Sequence, residues 1–226
     1  MVMQQLVGIG LYDSREAARL AGTRPATIRR WLEGYDRAGQ SYPPLWEPAL
    51  SGEQELVLDF RDLMEIRAVV MFRQRKVGLQ TMRKAIRRAA QIVGHDRPLS
   101  SLAFKTDGAR IFFEEVDPES GEPRIEDLFT GQREMRTIIE RTLHNIDYEQ
   151  DVPGRWWPMG RRARVMVDPR RSFGQPIEAE TFIPTRTLAL AAEAEGNAAK
   201  AAQVFEIPIA AVNRAVRFER DFAAAA

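Results

Sequence analysis

The chain has 226 residues, 44% hydrophobic and 29% charged, the composition of an ordinary globular protein long enough to bury its own core. It has no cysteine, which excludes a disulfide scaffold, a thiolate zinc site, an iron–sulfur cluster and a Cys nucleophile. The net charge of +1 favours no partner, but the charge is unevenly spread. Residues 1–97 carry 16 basic and 11 acidic side chains, residues 98–154 carry 6 and 13, and residues 155–226 carry 11 and 8. A basic front, an acidic middle and a mildly basic tail suggest segments with different partners. His95 and His144 lie far apart and in no metal-ligand spacing, so no metal or other cofactor is expected. No apolar run approaches the roughly 20 residues of a membrane span, and no basic-then-apolar leader is present. The expectation is a cytoplasmic protein without membrane contact.

In chain order, Ser14 can cap a short helix over 14–21, with Glu16 in its first turn and Gly22 permitting the left-handed turn that ends it. Pro25 suits the first turn of a second helix, whose Ile28, Trp31 and Leu32 share one face, and Gly34 closes it. Prolines crowd the stretch after Gly39, and Glu55 to Phe60 alternates, so residues 44–60 are expected to form a hairpin. Asp62 opens a third helix with Leu63, Ile66, Val69 and Val70 inward. Gly78 separates it from a fourth, with Met82, Ile86, Ala89 and Val93 on one stripe. The middle suggests a hairpin turn at Asp107-Gly108 with a strand over 111–113, a turn at 117–121, and a helix over 132–146. The apolar stripe of that helix fits either a dimer interface or an intrachain core. Residues 149–164, rich in Pro, Gly and Arg, are expected as a linker. A strand at 165–168, a second extended piece ending at Ile183-Pro184 and three helices near 185–195, 197–205 and 208–222 complete the chain. The fold class is therefore mainly α with small β hairpins. The expected segments are 1–97, 98–148, 149–164 and 165–226.

Two helix pairs carry the same packing pattern. Two short helices crossing at a sharp angle need a small residue, a residue tolerating positive φ four places later, and an apolar residue ten places later. Ala18, Gly22 and Ile28 satisfy this at the front; Ala202, Glu206 and Val212 do so in the tail. DNA readers place short polar or basic side chains at the start of the second helix, flanked by phosphate-binding arginines. The front motif offers Thr23, Arg24, Thr27, Arg29 and Arg30, with Tyr12, Arg15 and Arg19 on or just before the first helix. The tail motif offers Ile209, Ala210 and Ala211, which suit protein contact or core. One DNA reader is expected, at the front.

The run from Tyr12 to Trp31, with Asp62-Leu63 and Val77-Gly78-Leu79 downstream, resembles the winged helix-turn-helix of MerR-like regulators. The resemblance implies that Tyr12, Thr27, Arg29 and Arg30 contact operator DNA. It departs at the wing, where the Gly-Tyr-Arg signature is absent, and before Pro25, where Arg24 replaces a capping Ser and leaves Thr23 as the expected cap. The tail, with Val165-Met166-Val167-Asp168-Pro169, Phe173-Gly174-Gln175-Pro176-Ile177 and Thr181-Phe182-Ile183-Pro184-Thr185, looks like a small domain of unknown function common in bacterial antitoxins. The pairing is similar to one group of VapB-type antitoxins, which pair with PIN-domain ribonuclease toxins. It implies a homodimeric operator-binding repressor that neutralises a cognate toxin. Arg161, Arg162, Arg164, Arg170 and Arg171 are candidates to insert among the carboxylates of such a toxin, set against the plainer reading that they solvate a linker. The alternative is a stand-alone MerR-like transcription regulator whose middle segment binds a ligand. There Trp156-Trp157 would form pocket walls, unless they serve interdomain packing. Catalysis is not expected. Glu114-Glu115 would point to opposite faces of a strand, and no nucleophile–base constellation or phosphate loop is visible.

Overall fold

The computed structural model describes residues 8–50, 55–94, 96–104, 136–137, 139–140 and 143–223. The expected elements at Asp107-Gly108, 111–113 and 117–121, the first part of the 132–146 helix, and the pair Glu114-Glu115 lie outside these residues.

Helix α1 (Ser14–Ala21) is capped by Asp13, whose carboxylate accepts from the amides of Arg15 and Glu16, both at 2.7 Å. The cap is thus one residue earlier than expected. Ser14 is instead the first helical residue, and buried. Gly22 ends the helix with φ +69°, a left-handed conformation that glycine adopts without strain. Helix α2 (Pro25–Leu32) follows α1 after three residues. Arg24 occupies its N-cap position with no side-chain cap, so the expected Thr23 cap does not form. Ala18 and Ile28 are buried as the packing pattern requires, and Trp31 and Leu32 join them.

A two-stranded antiparallel hairpin comes directly after α2, β1 (Tyr35–Arg37) and β2 (Gln40–Tyr42). It replaces the hairpin expected at 44–60. The turn residues Ala38 (φ +51°) and Gly39 (φ +77°) both have positive φ, the backbone of a type I′ turn that matches strand twist. Its strands are three polar-rich residues each, too short to register as alternation. The segment expected as the hairpin runs mostly irregularly over the core. Leu45 and Trp46 are buried, the Trp46 indole donates to Asp62 at 2.9 Å, and Leu58 makes a single bridge to Tyr12.

Helix α3 (Phe60–Gln74) begins earlier than expected because Asp59 is its cap. Asp62 sits three residues in and completes a reciprocal capping box. Asp62 is fully buried and accepts from Arg97 Nε at 2.5 Å, so a buried ion pair ties the start of α3 to residue 97. Gly78 precedes α4 (Leu79–Val93), whose Met82, Ile86 and Ala89 are buried.

The stretch expected as a linker is largely structured. Strands β3 (Ile146–Glu149) and β4 (Val152–Trp156) form an antiparallel hairpin that continues through β5 (Val165–Val167) and β6 (Pro176–Glu178), in spatial order β3-β4-β5-β6. Pro153, Gly154 and Trp156 are buried within it. A run of prolines, glycines and aromatics reads as linker only until a sheet packs it. Ile139, Leu143, Ile146, Trp156 and Val167 share one apolar cluster with the front helices, so the described part of the 132–146 stripe faces this chain's own core. Trp156 packs in this cluster, while Trp157 is half-buried and donates its indole N–H to Asp147 at 2.9 Å. Arg67 stacks on the Trp156 ring at 3.8 Å.

Helices α5 (Thr185–Ala194), α6 (Ala198–Val204) and α7 (Ile209–Ala223) enclose a second, smaller cluster of Leu188, Ala201, Ala202, Val212 and Ala215. Glu206 has φ +53° between α6 and α7, the same position that Gly22 takes between α1 and α2. The tail therefore repeats the helix-turn-helix geometry with a strained residue in the turn. Among the described residues, no helix is long and apolar enough to cross a membrane.

Candidate nucleic-acid interface

The second helix of the front pair turns one face to the core and the other outward. Ile28, Trp31 and Leu32 are buried, while Arg24, Arg29 and Arg30 are exposed and Thr23 and Thr27 half-buried. Arg15 is also exposed, in the first turn of α1. Six of the seven side chains expected at DNA thus remain reachable, and α2 carries no acidic residue. The three exposed arginines differ in their support. Arg29 Nε donates to Ser14 Oγ at 3.3 Å, and together with Asp13, Arg15, Glu33, Glu55 and Leu56 it lines a recess of about 470 Å³. Arg24 occupies the uncapped helix start. Arg30 lies over the Tyr35 ring at 4.0 Å, and Tyr35 stacks on Tyr42 with ring centroids 4.7 Å apart and planes 9° from parallel. Hydrogen bonding from the Arg30 guanidinium, and then its charge, hold the half-buried Tyr35 phenol below its ordinary pKa, with Arg83 adding to the effect.

Tyr12 is a correction. Only 2% exposed, it donates its hydroxyl to the Gly174 carbonyl at 2.8 Å. Burial, followed by the charges of Glu16, Asp59 and Asp168, pushes its phenol well above the ordinary value. It joins front to tail and is not available to DNA. The sequence motif carried no sign of this, because the partner lies 162 positions away. Arg19 is likewise engaged within the chain, with Glu16 at 2.8 Å and Glu219 of α7 at 3.0 Å.

Sequence reasoning missed the hairpin tyrosines and the charge of α4. Arg83, Lys84, Arg87 and Arg88 lie on α4 without a single carboxylate, and the last three are exposed. Arg83 is buried and donates through Nε and Nη2 to the Pro43 carbonyl at 3.2 and 2.9 Å, pinning the end of the hairpin. The usable signal was the acid-free run from Leu79 to Val93.

The five tail arginines are mostly committed within the chain. Arg161 pairs with Asp147, Arg164 with Glu180, and Arg170 with Glu149. Arg171 stacks over Phe182 at 4.0 Å. Arg162 makes no ion pair among the described residues and lines a recess of about 320 Å³ with Met159, Ala163, Val165, Arg214 and Arg217. Glu178 nearby in sequence is fully buried and accepts from Thr181 and Arg214. Although burial opposes ionisation, Thr181 and Arg214 hold Glu178 below its ordinary pKa, with Arg214 Nη2 at 2.8 Å. Among the described residues, no group of three or more His, Asp or Glu side chains could hold a metal ion.

No family model matches the chain. It is 28% identical over 190 residues to "Putative antitoxin VapB45" of Mycobacterium tuberculosis, covering 75% of this chain and 77% of that protein. Its fold matches the crystal structure of Rv2018 from Mycobacterium tuberculosis with a TM-score of 0.67 at 21% identity, over 93% of this chain and 99% of that one.

Proposed function

We propose that the protein is an antitoxin that binds operator DNA as a dimeric autorepressor through a MerR-like winged helix-turn-helix, and that neutralises a cognate PIN-domain ribonuclease. The observation that carries the DNA reading is the outward face of α2, where Arg24, Arg29 and Arg30 stand exposed beside Thr23 and Thr27 with no acidic neighbour on the helix. The hairpin β1–β2 follows α2 where a wing would lie and shares Arg30 with it. Arg15 contacts the backbone from α1 in this reading. Dimerisation follows from scale, because one helix reads only a few base pairs and two half-sites one turn apart give useful specificity.

The toxin reading draws on the likeness to the VapB45 antitoxin and on the sequence resemblance of the tail. The tail helix-turn-helix presents Val204 and Ile209 at 63% and 48% exposure, an apolar surface unsuited to a charged backbone and suited to a protein. Of the arginine candidates, Arg161, Arg164 and Arg170 are in ion pairs and Arg171 lies over Phe182, which leaves Arg162, at the rim of its recess, with the fewest commitments among the described residues.

The test is a gel shift on the DNA upstream of the gene, with and without the product of the adjacent gene. Arg29→Ala and Arg30→Ala should weaken the shift and lower the salt slope by about one per lost phosphate contact, or cost ~1–3 kcal/mol where a base contact goes. Full retention by both variants removes α2 from DNA. Failure to co-purify with the adjacent gene product removes the toxin reading.

A further inference from the structure

Resting on the DNA reading above, we infer that Arg30 reads a guanine edge in the major groove, and that Tyr35, Tyr42 and Arg83 are positioning residues that hold its guanidinium for that contact. The four side chains form one column. Arg30 Cζ lies 4.0 Å from the Tyr35 ring centroid, the Tyr35 and Tyr42 rings stack at 4.7 Å, and Arg83 Cζ lies 5.8 Å from the Tyr42 ring. The column is anchored at both ends. Arg30 grows from α2, and Arg83 is buried on α4, fixed by its two hydrogen bonds to the Pro43 carbonyl next to Tyr42. The tyrosines are directly opposite each other in the hairpin register, Tyr35↔Tyr42, so the two-residue turn at Ala38-Gly39 sets their stacking.

A guanidinium can give one of its two flat faces to an aromatic ring and still keep its five N–H donors in its plane. When a tyrosine takes one face, the donors not directed at its hydroxyl stay in that plane as a fork. A planar fork is the shape that matches guanine O6 and N7 together, whereas a phosphate accepts a donor from many directions. Holding the fork also removes rotamer freedom before binding, which is lost on binding for an unsupported arginine. The neighbouring arginines lack this arrangement. Arg29 is tethered by one 3.3 Å bond to Ser14, and Arg24 stands at the helix start. Those two serve phosphates, and the stacked one serves a base.

The test selects the preferred sequence of the full-length protein from a random duplex pool. Binding is then measured to that duplex, to its single base-pair replacements and to an unrelated duplex, for wild type, Arg30→Ala, Tyr35→Ala, Tyr35→Phe and Arg29→Ala. Arg30→Ala and Tyr35→Ala should each abolish the preference at the same G·C pair, losing roughly 5- to 100-fold on the selected duplex and little on the unrelated one. Tyr35→Phe keeps the stack and should keep the preference; Arg29→Ala should weaken both duplexes alike. A Tyr35→Ala variant that retains the preference, or loses affinity equally on both duplexes, overturns the inference and leaves the DNA reading standing. Wild type that binds no duplex overturns both. A DNA-free measurement guards against a merely unfolded hairpin: Arg30→Ala should raise the Tyr35 phenol in an ultraviolet pH titration, and an unchanged titration also counts against the column.

Discussion

Glu65 is fully buried on α3 and half satisfied. Its Oε1 accepts from the Ser100 amide at 2.7 Å and hydroxyl at 2.9 Å, and its Oε2 has no hydrogen bond among the described residues. Burial pushes the carboxyl up to about 7, with Asp62 adding to the rise while the Ser100 bonds and Arg97 oppose it. The native state therefore holds the proton more tightly than the unfolded chain. Glu65 favours folding most fully below its unfolded value near 4.5, and that contribution is lost as pH rises through about 7. Glu65→Gln keeps an acceptor for Ser100 and carries no charge. It should match wild type near pH 4.5 and exceed it at pH 8, by on the order of 1–3 kcal/mol. Urea denaturation at both pH values checks this, and parallel pH profiles for the two proteins would refute it. Such a residue is invisible in sequence, where Glu65 reads as one more solvated charge on a helix. Tyr12 was hidden for the same reason. Its neighbours in sequence suggested DNA, but a carbonyl in the tail sets its role. The outward arginines of α2 were legible because Ile28, Trp31 and Leu32 fix the buried face, and with it the exposed one.

At the level of elements, the helices followed their apolar periodicity closely, with starts displaced mainly where a different side chain took the cap. The three tail helices agree with expectation to within a residue or two. The hairpin was lost because three-residue strands such as Tyr-Asp-Arg and Gln-Ser-Tyr have no period to detect, and a proline-rich run nearby offered a louder signal. Its turn is also not optimal, since Ala38 holds φ +51° with a Cβ. Ala38→Asn creates the favoured Asn-Gly turn and should stabilise the hairpin by roughly 0.5–1 kcal/mol. The observable is greater hydrogen-exchange protection of the strand amides, and unchanged protection would refute the assigned turn. The same physics applies between α6 and α7. Glu206 is exposed with φ +53° where glycine is unstrained, so Glu206→Gly should raise stability by about 0.5–1 kcal/mol despite the added chain entropy. A lower melting temperature for this variant would mean that the Glu206 side chain makes a contribution larger than its strain.

At the scale of the whole molecule, front and tail share structure that their sequence segments do not announce. The Leu11 amide donates to the Phe173 carbonyl at 2.9 Å, Tyr12 donates to Gly174, and Glu219 of α7 accepts from both Arg19 and Thr185. Trp156 and Val167 of the sheet complete the core that α1, α3 and α4 begin. Composition made residues 149–164 read as a linker because proline and glycine act on the backbone locally, whereas their burial depends on strands that arrive later in the chain. A shared core predicts shared unfolding. Gly174 is the sharpest place to test this, because a Cβ there would lie 2.2 Å from Tyr12 Oη and 2.8 Å from Cζ, at φ +80°. Gly174→Ala cannot be relieved by a flexible tip, since the Tyr12 ring is itself buried. It should cost more than about 3 kcal/mol, in the range reserved for overpacking combined with backbone strain. Tyr12→Phe leaves the ring and removes one bond, and should cost only about 1–2 kcal/mol. Hydrogen exchange resolves where those losses appear. With one cooperative unit, Gly174→Ala should lower the protection of α2 and of α7 by the same free energy, although neither helix contains the substitution. Loss confined to the tail would show that α1 and α2 fold independently, and that the Tyr12 contact joins two units without making them one.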